Sequence, residues 1–222
     1  QFYALPAKTR AKNGRIRVMG FPPIGIMSLS SVLKRSGHEC VMFDQAHPET
    51  PNEFIIEEIK RRKPALVGLS FLSTTSYPYA KILARQIRAA DSTVKLAFGG
   101  VFASLNAGLV KLQCPEIDFV CRGDGEQLLL DLLDRLEDPQ EVGGVTWARD
   151  GKGSSSPNRT MERHLDQWPF PDRESLELDF VESMPLDVPA VLSMERFTTM
   201  QTSRGCPWPC VFCDIPIFNE GK

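Results

Sequence analysis

Short, mainly apolar runs alternate with helix-like stretches over residues 20–138, and this alternation limits the folds that the chain can adopt. The runs lie at residues 39–44, 64–71, 94–98 and 117–121. Apolar runs of this length are typical of strands that are covered on both faces, as in a parallel sheet. Strands and helices that alternate with short connections define a doubly wound α/β fold. The sequence therefore predicts a Rossmann-like domain built on a doubly wound parallel sheet.

Helices are expected between these runs because apolar residues recur there at a spacing of three and four. The predicted helices cover residues 22–36, 54–63, 74–87, 103–112 and 127–136. Gly37 is expected to end the first helix, and Thr74 or Thr75 to cap the third. Residues 1–20 are rich in basic and polar side chains and are predicted to form a loop.

The character of the sequence changes after residue 138. A β-hairpin is predicted over residues 142–153, linker-like chain at 154–157 and a proline-rich connector at 166–172. Residues 196–202 have the composition of a strand that leads into a cysteine-rich loop. We therefore predict three parts, which are an α/β domain at 1–138, a hairpin and linker at 139–195, and the start of a further domain at 196–222.

Composition limits the classes of function. Of the 222 residues, 42% are hydrophobic and 24% charged, and the formal net charge of −2 argues against a nucleic-acid surface built on bulk positive charge. No run approaches the ~18 apolar residues of a membrane helix, and no signal-peptide pattern is present. Six cysteines without a small, disulfide-dense frame indicate a reducing compartment, so a cytoplasmic location is expected. Because the chain lacks an initial Met and stops nine residues after Cys213, we expect a piece of a longer protein.

Polar and glycine-rich turns follow three of the predicted strands, at residues 70–76, 99–102 and 122–126. In doubly wound sheets the ligand lies beyond the carboxyl ends of the strands, where glycine lets the backbone approach it closely. These turns therefore predict a ligand site at one edge of the sheet. A dinucleotide is disfavoured as the ligand, because no G-x-G-x-x-G follows the first predicted strand.

Three cysteines, Cys206, Cys210 and Cys213, lie within eight residues in the spacing C-x-x-x-C-x-x-C. Thiolates suit zinc and iron–sulfur clusters. No cysteine or histidine follows them, whereas a structural zinc takes four ligands and an ordinary cubane cluster takes four cysteines. Three thiolates can hold three corners of a [4Fe–4S] cluster and leave one iron open. Half of a zinc site and disulfide pairing are the alternatives.

The loop resembles the cluster-binding loop of radical S-adenosylmethionine (SAM) enzymes. The resemblance rests on the cysteine spacing, the Ser-Arg-Gly-Cys lead-in at residues 203–206, and Phe212 before the last cysteine. It implies that the three cysteines bind a [4Fe–4S] cluster, that the open iron chelates SAM, and that the backbone near Phe212 contacts the adenine. An electron from a donor such as flavodoxin or ferredoxin would then cleave SAM to methionine and a 5′-deoxyadenosyl radical. Residues 196–222 would begin the partial TIM barrel of that family.

The preceding elements resemble the cobalamin-binding domain of one large branch of these enzymes. The matching motifs are Pro22-Pro23-Ile24-Gly25, Ser70-x-x-Ser73-Thr74, Phe98-Gly99-Gly100 and Gly123-Asp124-Gly125-Glu126. The resemblance implies that the nucleotide tail of cobalamin is lined by Ser70, Thr74, Thr75, Gly99 and Gly100. It places Val101, Phe102, Gly123, Asp124, Gly125 and Glu126 near the corrin or the domain junction. The signature D-x-H-x-x-G, which supplies a histidine to cobalt, is absent, as it is in many members of this branch.

The resemblance implies an enzyme that methylates an unactivated carbon, with methylcobalamin as the methyl donor. The branch includes the anaerobic Mg-protoporphyrin cyclase and the ring methyltransferases of bacteriochlorophyll synthesis, so a tetrapyrrole is a candidate small-molecule substrate. One alternative is a radical SAM oxidoreductase, cyclase or hydroxylase without methyl transfer. Another is a methylthiotransferase, which needs three further cluster cysteines, whereas Cys40, Cys114 and Cys121 fall on different predicted elements. The last alternative is a cofactor-binding module without catalysis of its own.

Overall fold

One five-stranded mixed sheet organises the chain, as seen in a computed structural model that describes residues 22–45, 50–149, 152–162, 164–176 and 200–218. The strands stand in the order β1-β2-β3-β4-β5. Strands β1 to β3 run parallel, and β4 and β5 form an antiparallel hairpin on the edge of β3. The strands are β1 Leu66–Ser70, β2 Lys95–Gly99, β3 Phe119–Cys121, β4 Val145–Arg149 and β5 Lys152–Ser155. The predicted α/β fold is confirmed, with the hairpin as an antiparallel addition to the same sheet.

Six of the seven helices in the described residues lie close to the predicted positions, and the short helix at residues 215–218 was not predicted. Their bounds are α1 Ile24–Arg35, α2 Asn52–Arg62, α3 Tyr77–Ala90, α4 Val101–Leu105, α5 Ala107–Gln113, α6 Glu126–Asp134 and α7 Ile215–Phe218. Single 3-10 turns occupy Pro139–Glu141 and Leu165–Gln167. Helix α1 ends just before Gly37, as predicted. Among the residues described here, none of the helices is both long and apolar enough to cross a membrane.

The sheet separates two hydrophobic cores. Leu96 and Phe98 point into the first core, which also contains residues of α2, α3 and α5. Ala97 points into the second core, together with Phe119 and residues of α6. This alternation follows from the period of two along a strand. Because the central strands are covered on both faces, the sequence shows them as apolar runs rather than as alternating patterns.

The predicted strand at residues 39–44 is wrong for the described structure, which has no regular secondary structure there. Met42 is buried, but its neighbour Val41 is 41% exposed, so the segment is covered on one face only. A strand is defined by ladder hydrogen bonds to a neighbour, and β1 makes its described ladder with β2 alone. The apolar run therefore reports side-chain burial rather than strand pairing.

Two helix boundaries also differ from the prediction. Helix α3 is capped by Ser76, whose carbonyl accepts the Ala80 N–H at 3.1 Å, and not by Thr74 or Thr75. The predicted helix over 103–112 is divided at Asn106, whose side-chain amide donates to the Phe102 carbonyl at 3.0 Å. Asparagine competes for backbone groups in this way and so favours helix ends.

The chain that follows the hairpin is ordered against the domain. Residues 154–157 are not linker-like, because Ser154 and Ser155 belong to β5 and Ser156 is buried, with its Oγ accepting the Val145 N–H at 2.9 Å. The connector is fixed to α1, since Asp172 accepts from Ser30 and pairs with Lys34, both at 2.7 Å.

The remaining predictions for this part of the chain are not decided by the structure. Residues 1–20 lie outside the described residues, as do residues 196–199 of the predicted strand at 196–202, and residues 200–202 form no strand. The division of the chain at residue 138 stays a prediction.

Arg88 ties α3 to the amino ends of two strands. Its Nη2 bonds Asp118 Oδ2 at 2.7 Å, and its other nitrogens donate to the carbonyls of residues 92, 94 and 116 at 2.8–3.0 Å. The same Asp118 oxygen accepts the Leu96 N–H at 2.7 Å. We expect Arg88→Met to lower the free energy of unfolding by about 2–3 kcal/mol, because it leaves a half-buried carboxylate and several carbonyls without their donor.

The matched control is Arg85→Met on the same helix. Arg85 pairs with Glu116 at 3.0 Å, but its side chain is 54% exposed, so its loss should cost less than about 1 kcal/mol. Urea unfolding of both variants measures the difference. Equal losses in the two variants would show that Arg88 is an ordinary surface ion pair.

Candidate functional site at the carboxyl edge of the sheet

The carboxyl ends of β1, β2 and β3 meet at one edge, as the parallel order requires. Ser70 and Gly99 are paired in the register between β1 and β2, and Cys121 ends β3 beside them. The three predicted turns therefore lie at the same edge. A Cβ atom built on Gly99 or on Gly123 would meet no atom within 4 Å, so the backbone there faces open space. The edge can accept a large group close to the main chain.

Gly100 has a structural role at this edge. Its φ of 95° lies in the left-handed region, and an added Cβ would stand 2.2 Å from the carbonyl oxygen of Phe71. The two backbone segments cross closely here, because the Phe71 N–H donates to the Gly99 carbonyl at 3.2 Å. Val101 and Phe102 follow at the start of α4 and are half-buried, and the Phe102 ring packs 5.3 Å from that of Tyr77.

The loop after β1 presents hydroxyl groups. Thr74 and Thr75 are exposed, and Ser70 is half-buried. Ser73 Oγ lies 2.7 Å from Thr75 Oγ1 and 3.3 Å from Ser76 Oγ, so Ser73 holds the loop together. The exposed threonines remain available to hydrogen-bond a polar ligand.

Ser104 joins two of the edge loops, and the sequence analysis missed it. Its Oγ donates to the Gly100 carbonyl at 2.9 Å and accepts the Gly123 N–H at 3.1 Å. Serine in a first helical turn commonly bonds the carbonyl four residues earlier. Its place four residues after Gly100 could therefore have revealed the first bond, but not the second, which depends on the tertiary fold.

The motif at residues 123–126 holds two acidic groups beside the cysteine loop. Glu126 begins α6, is 4% exposed, and forms a close ion pair with Arg204. Asp124 lies on the other side of the same guanidinium, with Oδ1 3.4 Å from Arg204 Nη1. Gly125 separates them and packs on Leu29. The edge of the sheet thus contacts the residue that stands two positions before Cys206.

Charge and burial compete within this group. Burial raises the pKa of Asp124, and the charge of Arg204 opposes the rise. Burial alone would lower the pKa of Arg204, but its hydrogen bond to Glu126 and the two carboxylate charges outweigh that effect and raise it. Arg204 is therefore a permanent cation between two acidic side chains. In the sequence, Arg204 is recognisable only as part of the lead-in to Cys206, and no local pattern predicts its ion pairs.

The cysteine loop lies on the surface. Cys210 is exposed, and Cys206 and Cys213 are half-buried with free thiols. Phe212 is 89% exposed. Within residues 200–218 and the rest of the described chain, no three metal-ligating side chains stand close enough to hold an ion, so the three sulfurs are not gathered. The donor set nevertheless fits an iron–sulfur cluster, because it offers three soft ligands on one short loop, and metal sites are rarely preformed without the metal.

The other cysteines do not extend this site. Cys114 and Cys121 are buried, and burial raises the pKa of each thiol to about 12, which leaves them unreactive. Cys40 is half-buried on the segment before α2.

Two cavities of about 510 and 520 Å³ open at the opposite, amino edge of the sheet, where Lys95 lines both. The chemistry-bearing residues are therefore concentrated at the carboxyl edge.

Fold and site together define a doubly wound α/β cofactor-binding domain that carries a cysteine loop at its carboxyl edge. The B12 binding domain family matches residues 18–133, which is just over half of the chain. The chain therefore belongs to the B12-binding domain family, and the resemblance predicted from the sequence is confirmed.

The relatives are longer than this chain. An uncharacterized methyltransferase of Pyrococcus horikoshii, PH0819, is 31% identical over 207 residues, which cover 90% of the chain and 42% of the relative. The anaerobic magnesium-protoporphyrin IX monomethyl ester cyclase of Synechocystis is 26% identical over 209 residues, covering 91% and 40%. The chain thus spans about two fifths of the length of these relatives.

A solved structure shares the fold. The radical SAM methyltransferase TsrM from Kitasatospora setae, determined with cobalamin and a [4Fe–4S] cluster bound, matches with a TM-score of 0.56 at 18% identity. The match covers 67% of this chain and 28% of TsrM.

Proposed function

We propose that the chain is the cobalamin-binding part and the cluster loop of a radical SAM enzyme that methylates an unactivated carbon. The observation that carries this proposal is the ion pair of Arg204 with Glu126, which joins the cysteine loop to the carboxyl edge of a B12-binding fold. Two cofactor sites that must cooperate would then be neighbours. A tetrapyrrole is the proposed class of substrate, since one relative is named as a protoporphyrin cyclase.

The residues divide between the two sites. Cys206, Cys210 and Cys213 would hold three irons of a [4Fe–4S] cluster, and the backbone near Phe212 would contact SAM. The nucleotide tail of cobalamin would lie against Ser70, Thr74, Thr75, Gly99 and Gly100. The corrin would lie near Val101, Phe102 and the motif Gly123, Asp124, Gly125 and Glu126. When bound, these groups supply reductive cleavage of SAM and transfer of a methyl group.

The residues of this chain would position and shield these groups. The exposed hydroxyls after β1 can hydrogen-bond amide and phosphate groups, and the open backbone at Gly99 and Gly123 allows close approach. A flavodoxin or ferredoxin in the cytoplasm is the proposed electron donor, and the exposed Phe212 and Trp208 leave the loop accessible to a partner.

A second candidate is a radical SAM cyclase or other oxidoreductase that transfers no methyl group. The match to the Synechocystis cyclase favours it. A third follows from length, since a chain that spans two fifths of its relatives can bind cofactors without completing the reaction. A lack of cobalamin binding would exclude the first candidate, whereas binding alone is compatible with both.

Titration with hydroxocobalamin tests the cobalamin site. We expect a saturable shift of the visible spectrum at one cobalamin per chain. Gly99→Leu should weaken binding by at least about tenfold, since the side chain fills the open edge that the nucleotide tail would need, at a loss of about 1.4 kcal/mol or more. The unfolding midpoint should change little.

Gly153→Leu is the matched control, because Gly153 also lies in a strand and faces open space, but on the outer hairpin. It should bind as the parent chain does. A folded chain that shifts no spectrum would favour the oxidoreductase. Equal binding by both leucine variants would place cobalamin away from Gly99.

A further inference from the structure

The contact between the cysteine loop and the sheet is built around one cation. Arg204 forms its ion pairs with two acidic residues that are 78 and 80 positions earlier in the chain. The backbone of Glu162 lies close enough to lower the pKa of Asp124, so three segments of the chain meet at this carboxylate. Helix α7, at the far end of the cysteine loop, lies against α4 at the same edge.

Burial makes this contact specific for a cation. The Glu126 side chain is 5% exposed and those of Asp124 and Arg204 about one fifth exposed, so none of the charges is fully solvated. Asp124 Oδ2 is buried and makes no hydrogen bond within the described residues. Without Arg204, Glu126 would remain as a buried charge beside a second carboxylate. Removing one partner of a buried ion pair is strongly destabilising, because the other charge is left buried and uncompensated.

The backbone turns directly after this contact. Gly205 has a φ of 92°, in the left-handed region that residues with a side chain rarely adopt. The turn separates the anchored guanidinium from Cys206, which is the first of the three cysteines. The start of the loop is thereby held at the edge, while Cys210 in the middle of the loop is exposed.

We propose that Arg204 is a positioning residue, which locks the cysteine loop onto Asp124 and Glu126 and so sets the separation of the cluster and cobalamin sites. This inference rests on the proposed function for the identity of the two cofactors. The contact itself is a property of the chain and can be measured without them.

Hydrogen exchange of the cofactor-free chain gives the first test. We expect Arg204→Gln to speed amide exchange in residues 200–218 by about tenfold or more, because the loop opens when its buried ion pairs are lost. The exchange rate of Arg204→Lys should lie between those of the parent chain and Arg204→Gln, since lysine keeps the charge but not the planar set of guanidinium donors. The control is Arg159→Gln, which removes a half-buried 2.6 Å pair with Asp131 and should leave the loop unchanged.

If Arg204→Gln fails to fold, amide exchange is measured in the double variant Arg204→Gln with Glu126→Gln. This variant also lacks the ion pair but leaves no unpaired charge at residue 126. Unchanged exchange of residues 200–218 in a folded variant would overturn the proposal.

Magnetic coupling gives the second test in the loaded chain. Cob(II)alamin and the reduced cluster both carry unpaired electrons, so their dipolar coupling reports the distance between them. Arg204→Gln should retain both cofactors yet weaken or broaden this coupling, whereas a merely stabilising role would leave it unchanged. If the parent chain binds no iron or no cobalamin, the proposed function fails, and the exchange measurement still decides whether Arg204 holds the loop.

Discussion

Gly100→Ala is expected to lower the free energy of unfolding by about 3–5 kcal/mol, a loss large enough to prevent stable folding of many domains of this size. Two costs add. With φ of 95° and ψ of 173°, the Gly100 backbone is in a region that is essentially confined to glycine, and it is unfavourable for alanine by about 1–3 kcal/mol. The new Cβ would also stand 2.2 Å from the Phe71 carbonyl oxygen, and a backbone atom cannot move aside as a flexible side chain can.

Gly99→Ala is the control for this result. The two glycines are adjacent, but a Cβ at Gly99 meets nothing within 4 Å and its backbone is that of a strand. Alanine there should leave the unfolding free energy within about 1 kcal/mol of the parent value. Urea unfolding of both variants measures the contrast. A Gly100→Ala chain as stable as Gly99→Ala would mean that the crossing of Phe71 over Gly100 is looser than the structure shows.

The central strands could be predicted from the sequence because burial on both faces requires a run of mainly apolar residues, which is visible locally. Residues 94–98 and 117–121 are mainly apolar since each strand faces two cores. The same kind of apolar run led to a wrong strand prediction at residues 39–44. This segment is buried on one face only, and no described strand pairs with it. Composition reports contact with a core, whereas pairing depends on which segment lies alongside.

The position of the site at the carboxyl edge of the sheet was predictable from the topology. Parallel strands bring their carboxyl ends together, so polar turns after 70, 99 and 121 had to meet. The ion pair between Arg204 and Glu126 was not predictable, because nothing local links residues so distant in sequence. The burial of Ser156 was missed for the same reason, since its partner Val145 lies across the hairpin.

Replacing Cys206, Cys210 and Cys213 together by alanine is expected to abolish iron binding. After anaerobic reconstitution the parent chain should hold about four irons and the colour of one cubane cluster, and the triple variant neither. The expected loss is complete because residues 200–218 would then contain no thiolate, and thiolates are the ligands that hold cubane clusters. The sheet should remain folded, since the loop lies outside both hydrophobic cores.

Cys40→Ala is the matched control, because Cys40 is also free and half-buried but lies on the segment before α2. It should bind iron as the parent chain does. The structure leaves the three sulfurs ungathered, so the cluster itself would have to draw them together, and metal binding would then order the loop. Iron retained by the triple variant would exclude these ligands, and a single tightly held zinc in the parent chain would replace the cluster by a structural metal.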